Sequence, residues 1–146
     1  MNFRKDEGES LEKEFQLRIG NIRQFMNEAL ALDPERVQAI KDRLQTAIAE
    51  LQVNVDENRF EQELIYYLEK LDITEEKVRL TNHLDYFLDT IKGTEANGRK
   101  LGFITQEMGR EINTMGSKSN HAQMQKLVVQ MKDELEKIKE QVLNVL

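Results

Sequence analysis

Apolar residues recur along this chain at spacings of three and four almost without interruption, the signature of amphipathic helices laid end to end. Leu11, Phe15, Ile19, Ile22, Met26 and Ala29 predict a first helix from about Glu9 to Leu32. Asp33-Pro34-Glu35 then reads as an N-cap, a first-turn proline and a first-turn acid, so a second helix is expected to begin there with a narrow seam of Val37, Ile40, Leu44, Ala47 and Leu51. Val53 to Asp56 is the next break, and Asp56 is placed to cap a third helix carrying Phe60, Leu64, Tyr67, Leu68 and Leu71.

Asp72 and Glu75 are spaced as a capping box for a fourth helix that carries Leu80, Leu84, Phe87, Leu88 and Ile91 and ends at Gly93. A short loop, Thr94 to Asn97, leads to a fifth helix from Gly98 to near Gly116, with Leu101, Ile104, Met108, Ile112 and Met115 on one face. A sixth, from about Asn120 to Val145, holds Met124, Leu127, Val128, Met131, Leu135, Ile138 and Val142 in heptad register. No strand-like alternation of convincing length interrupts the pattern. The expected fold is all-α, a bundle of about six helices, with first and last helices long enough to protrude or to pair with another copy.

Composition narrows the chemistry. At 146 residues the chain is one ordinary domain, and with no cysteine it can form neither disulfides nor thiolate metal sites. No apolar run approaches membrane-span length and the start is too polar for a signal peptide, so a cytoplasmic protein with no membrane partner is expected. The net charge of −6 argues against nucleic acid when taken alone, but it is unevenly placed. Between Gly98 and Ser119, Arg99, Lys100, Arg110 and Lys118 face only Glu107 and Glu111, a local balance of +2 that leaves −8 for the remainder.

That same segment carries more polar chemistry than a packing helix needs. Glu107 and Glu111 stack at i, i+4 on the border of the apolar stripe, where the ordinary occupant is a solvated flank with an Arg–Glu pair. On the fourth helix Glu76, Arg79 and His83 project to one side, and a histidine in such a place is commonly an edge residue bonded to a neighbouring carboxylate. The short loop makes the fourth and fifth helices antiparallel neighbours. Their flanks could then converge on an oxygen and imidazole ligand set that suits Mn²⁺ or Mg²⁺ and would also accept Zn²⁺. Asn113 and the Ser117-Lys118-Ser119 turn are placed either to position a phosphate or to cap a helix, while His121, at a helix start, reads as surface.

The run GRKLGFITQEMGREINTMGSKS, the following LVVQMKDELEKIKEQVLNV, the upstream EEKVRLTNHLDYF and the opening FRKDEGESLEKEF together resemble the C-terminal region of the YicC/YloC family of bacterial endoribonucleases. Gly109, Gly102 and Lys139 depart from the family's usual Asn, Asp and Arg. The resemblance implies a helical C-terminal domain over residues 1–146 of a longer protein whose N-terminal domain is absent from this sequence. It implies cleavage of RNA phosphodiester bonds with a divalent cation, Mn²⁺ or Mg²⁺, and a homo-oligomer, a hexamer admitting RNA to a central space. Glu76, Arg79 and His83 match the family's EE-x-x-RL-x-x-H pattern residue by residue; with the facing flank of the fifth helix, the expected metal set is Glu76, His83, Glu107 and Glu111, with His83, Glu107 and Glu111 catalytic. Glu63, in RFEQEL, is a weaker member of the same centre. Arg79, Arg99, Arg110, Asn113 and Lys118 are then the RNA contacts. The rival reading is a helical assembly module without chemistry, which long seams, acidic charge and the absence of aromatic stacking platforms from the sequence pattern also suit.

Overall fold

The computed structural model describes residues 2–51, 56–93 and 98–145, and over these the chain is helical throughout, with no strand among the described residues. Five α-helices follow one another: α1 (Asn2–Leu51), α2 (Glu57–Lys70), α3 (Thr74–Lys92), α4 (Gly98–Lys118) and α5 (Ala122–Val142), with a 3₁₀ turn at Leu143–Val145. The expected break at Val53 and the Thr94–Asn97 loop lie outside the described residues, apart from Asp56, whose carboxylate caps α2 by accepting from Asn58 N at 3.0 Å.

The count falls from six to five because the first two predicted helices are one. Pro34 lies inside α1, where its missing N–H and its ring against the carbonyl four residues back cost about 3 kcal/mol. Tertiary contacts on both sides of the proline oppose that local stop signal. Arg36 is buried, donates to Asp33 Oδ1 at 2.8 Å and reaches the last carbonyl of α4, Lys118 O, at 3.0 Å. Glu35 lies 3.5 Å from His121 Nε2 at the start of α5, and Ile40 one turn on is buried. The α4–α5 turn therefore grips α1 across the position where the sequence invites it to end.

Four elements make the bundle. The N-terminal half of α1, α3, α4 and α5 pack antiparallel around a single core in which Phe15, Ile19 and Ile22 meet Leu80, Leu84, Met108, Ile112, Met131 and Leu135. Phe15 and Phe87 touch edge to face with centroids 5.1 Å apart. Close approach of α4 to α5 depends on Gly116 and Gly109: a Cβ at Gly116 would lie 3.0 Å from Val128 Cγ1, and one at Gly109 3.3 Å from Leu135 Cδ2. The heptad seams of the first and last predicted helices are thus consumed within one chain. They are not free to pair with another copy, and α5 does not protrude.

What protrudes is the other half of α1. At about 1.5 Å per residue α1 spans about 75 Å, while α3, α4 and α5 span about 30 Å each. The excess runs out beside α2 as an arm in which Leu44, Ile48, Phe60, Leu64 and Tyr67 line a shared groove. No residue of α2 is buried, and Ile65 and Tyr66 are exposed. The arm is joined to the bundle through Asp72, which accepts from Thr74 N at 3.2 Å and Thr74 Oγ1 at 2.8 Å. Glu75 turns to Arg79 rather than back to Asp72, and the N-cap position of α3 falls on Ile73, so the expected capping box gives way to Asp72 holding Thr74 from just before the helix.

Candidate active site

The polar flanks of α3 and α4 do meet, and in register. At one end of the seam Lys118 Nζ lies 2.6 Å from Glu76 Oε1 and donates at 3.0 Å to Asp72 O. One turn along α3, Arg79 Nε stands 3.9 Å from Glu111 Oε1 and also pairs with Glu75. At the far end Lys100 Nζ sits 4.9 Å from the centre of the Tyr86 ring. Between these levels, His83 is one turn beyond Arg79 and Glu107 one turn before Glu111, so the antiparallel helices carry His83 and Glu107 to the same level of the seam.

The two outer carboxylates are spoken for. Glu76 is 3% exposed, and its Oε1 takes the Lys118 ammonium while its Oε2 is buried without a hydrogen-bond partner among the described residues. Glu111 is 6% exposed beside Arg79. His83 and Glu107 differ from them: both are half-buried, and neither has a hydrogen-bond or ion-pair partner among the described residues.

Arg110, Arg99 and Asn113 lie on the exposed outer face of α4, away from the seam. Glu63, in the arm groove, is not part of this site. No three Asp, Glu or His side chains among the described residues come together as a metal cluster within the chain.

The 117–119 turn is built from within. Ser119 Oγ donates to Met115 O at 2.6 Å, Ser117 Oγ to Thr114 O at 3.0 Å, and Gln125 Nε2 donates to Gly116 O and Ser119 O. With Arg36 on Lys118 O, donors thus reach the Met115, Gly116 and Lys118 carbonyls in the last turn of α4. His121, read from sequence as surface, is the N-cap of α5: its Nδ1 accepts from Met124 N at 3.3 Å. A histidine three residues before the first heptad position, Met124, was the available signal. Arg36 gave only its Asp33 spacing, and nothing local announces its reach to α4.

The family described as "Endoribonuclease YicC-like, C-terminal" matches residues 29–146. The chain belongs to that family. It is 38% identical over 145 residues to a probable endoribonuclease YicC of Clostridioides difficile, covering 97% of this chain and 50% of that protein. It is 34% identical over 139 residues to a probable endoribonuclease YicC of Haemophilus influenzae, covering 95% of this chain and 48% of that protein. The chain therefore spans about half the length of the curated relatives it matches. No helix among the described residues is long and apolar enough to cross a membrane.

Proposed function

We propose that this YicC-like domain takes part in cleaving RNA phosphodiester bonds and that the reacting groups lie at the middle of the α3/α4 seam. The observation that carries this reading is the contrast along the seam: Glu76 and Glu111 are matched by cations, whereas His83 and Glu107, at one level and half accessible, are not. Structural ion pairs explain the outer levels and leave the middle one without a packing role.

Arg79, half exposed and already shared between two carboxylates, and Arg110 on the adjacent outer face are placed to take phosphate oxygens as charge develops on them. Lys118 is committed to Glu76 and is better assigned to holding the seam than to RNA.

A divalent cation of the Mn²⁺ or Mg²⁺ kind suits carboxylate and imidazole donors, and such ions are held by one or two carboxylates with the substrate's own phosphate rather than by a full protein cage. Glu107 and His83 are the residues that would hold it, and when bound it supplies Lewis acidity and a more acidic water. Without it, His83 would take the proton of a 2′-hydroxyl as that oxygen attacks the adjacent phosphorus, the departing 5′-oxygen taking a proton from water, and Glu107 at the same level of the seam would favour the imidazolium that results. Cleavage of an end-labelled RNA by wild type, Glu107→Gln and His83→Ala, with and without EDTA, tests the reading. Full activity in both variants refutes the site, and undiminished cleavage in excess chelator refutes the cation.

The arm supports assembly as a second property. Exposed Tyr66 and Tyr67, on a helix with no buried residue, line the groove with Leu44, Ile48 and Phe60 and offer an apolar surface that another copy of the chain would cover. The homo-oligomer, a hexamer in the family's pattern, is proposed on this surface and no longer on the heptad seams. Light scattering of wild type and Tyr66→Ser/Tyr67→Ser tests it, and an unchanged mass refutes the arm as the interface.

A further inference from the structure

The outer face of α4 is unlike the rest of this acidic chain. Arg99, Phe103, Gln106, Arg110, Asn113 and Ser117 follow one another at spacings of four and three, so at about 100° per residue they fall within an arc of about 80°. All six are exposed. The stripe holds two guanidinium groups, three hydrogen-bonding side chains and one aromatic ring, and no carboxylate, in a protein of net charge −6. Phe103 is 62% exposed although the core face of the same helix has room for apolar residues and uses five of them. A large ring left in water between two arginines is a poor choice for a merely solvated face.

We infer that this stripe is a binding track for single-stranded RNA, with Phe103 stacking on an unpaired base while Arg99 and Arg110 hold flanking phosphates. The inference rests on the proposed RNA cleavage and deepens it by naming the form of the substrate. Charge complementarity selects a polyanion, and the ring selects its strandedness. In a duplex the base faces are already stacked, so an aromatic side chain finds a partner only where a base is unpaired. Along the helix, Phe103 lies about 6 Å from Arg99 and about 10 Å from Arg110, the reach of a few nucleotides. Glu107 is one turn beyond Phe103 and about 40° around the helix toward α3, so a strand lying on the track passes beside the His83–Glu107 level. Tyr86, 47% exposed and overlaid by Lys100, offers a second aromatic face on the same side.

The test uses this chain with a short single-stranded RNA carrying one 2-aminopurine, its duplex form, and the variants Phe103→Ala, Phe103→Leu, Phe103→Tyr and Arg110→Ala. Wild type is expected to prefer the single strand and to quench the probe by stacking. Phe103→Ala and Phe103→Leu lose the quenching and roughly tenfold in affinity, and Phe103→Tyr keeps both. Arg110→Ala weakens binding and flattens its salt dependence. Equal affinity for the duplex, wild-type affinity in Phe103→Leu, no RNA binding by the chain, or a change of oligomeric mass in Phe103→Ala each overturns the inference, the last in favour of a protein contact. His83→Ala, which leaves the track intact, separates the two ideas: it quenches without cutting if both hold. If it both quenches and cuts at the wild-type rate, the catalytic role of His83 fails and the track stands.

Discussion

Replacing Lys118 by Ala removes the only cation that meets Glu76 among the described residues. The carboxylate is 3% exposed, its Oε2 has no partner among the described residues, and its Oε1 relies on an ammonium 2.6 Å away. Breaking one side of a fully buried pair costs about 3–5 kcal/mol, because a charge is left desolvated and alone. The Lys118 side chain retains 27% exposure, so water entering the vacated space recovers part of this, and about 2–4 kcal/mol is expected. The lost bond to Asp72 O adds to the damage where α3 begins. For a domain of this size each kcal/mol lowers the melting temperature by roughly 2–4 °C, giving a drop of about 5–15 °C. Circular dichroism through a urea or thermal transition measures it. Glu76→Leu/Lys118→Met, which removes both charges and keeps the volume, should recover most of the loss. If Lys118→Ala instead unfolds with wild-type stability and loses RNA affinity, the lysine is a phosphate contact and the ion-paired description of this end of the seam is wrong.

Burial pushes the Glu134 carboxyl up, but hydrogen bonds from Asn21 and Arg18 and the charges of Arg18 and Lys137 outweigh it and hold it below the ordinary value. Its contribution to stability is therefore present above the unfolded carboxylate range and lost as pH falls below about 4.5. Glu134→Gln should flatten this part of an acid-unfolding curve, and an unaltered curve would dismiss the Arg18–Glu134 link. Gly102→Ala, with nothing within 4 Å of the new Cβ, should stabilise α4 by about 0.5–1 kcal/mol. Gly116→Ala, 3.0 Å from Val128 Cγ1, should destabilise by about 1 kcal/mol net. Equal urea midpoints for the two variants would contradict the α4–α5 packing. Pro34→Ala should raise stability by about 1–3 kcal/mol if α1 is continuous; a loss would mean that the proline marks a true helix boundary.

Helix content was legible because the apolar spacing of three and four is a local property, and so were the residues of the core: Phe15, Leu84, Met108 and Leu135 all lie on the stripes that the pattern predicts and are all buried. The meeting of the α3 and α4 flanks was also legible, since a short connection leaves two helices little choice but to run antiparallel. The assignment of partners was not. A spacing rule places Glu76, His83, Glu107 and Glu111 on suitable faces, but which carboxylate a cation claims depends on side chains arriving from a different helix, as Lys118 does at Glu76.

Membership of the YicC-like family and an all-helical chain follow from the residues in order, because motif and periodicity are both written along one dimension. Tertiary structure decided what lies across it. Local chemistry at Asp33-Pro34 favours a stop, and only Arg36 on the end of α4 and Glu35 near His121 turn that stop into the middle of a 50-residue helix. Likewise a heptad seam states that an apolar face must be covered without saying by what. Packing within one chain covers the seams of α1 and α5. Among the described residues the α2 arm and the outer stripe of α4 stay exposed, because each lies outside the four-helix core.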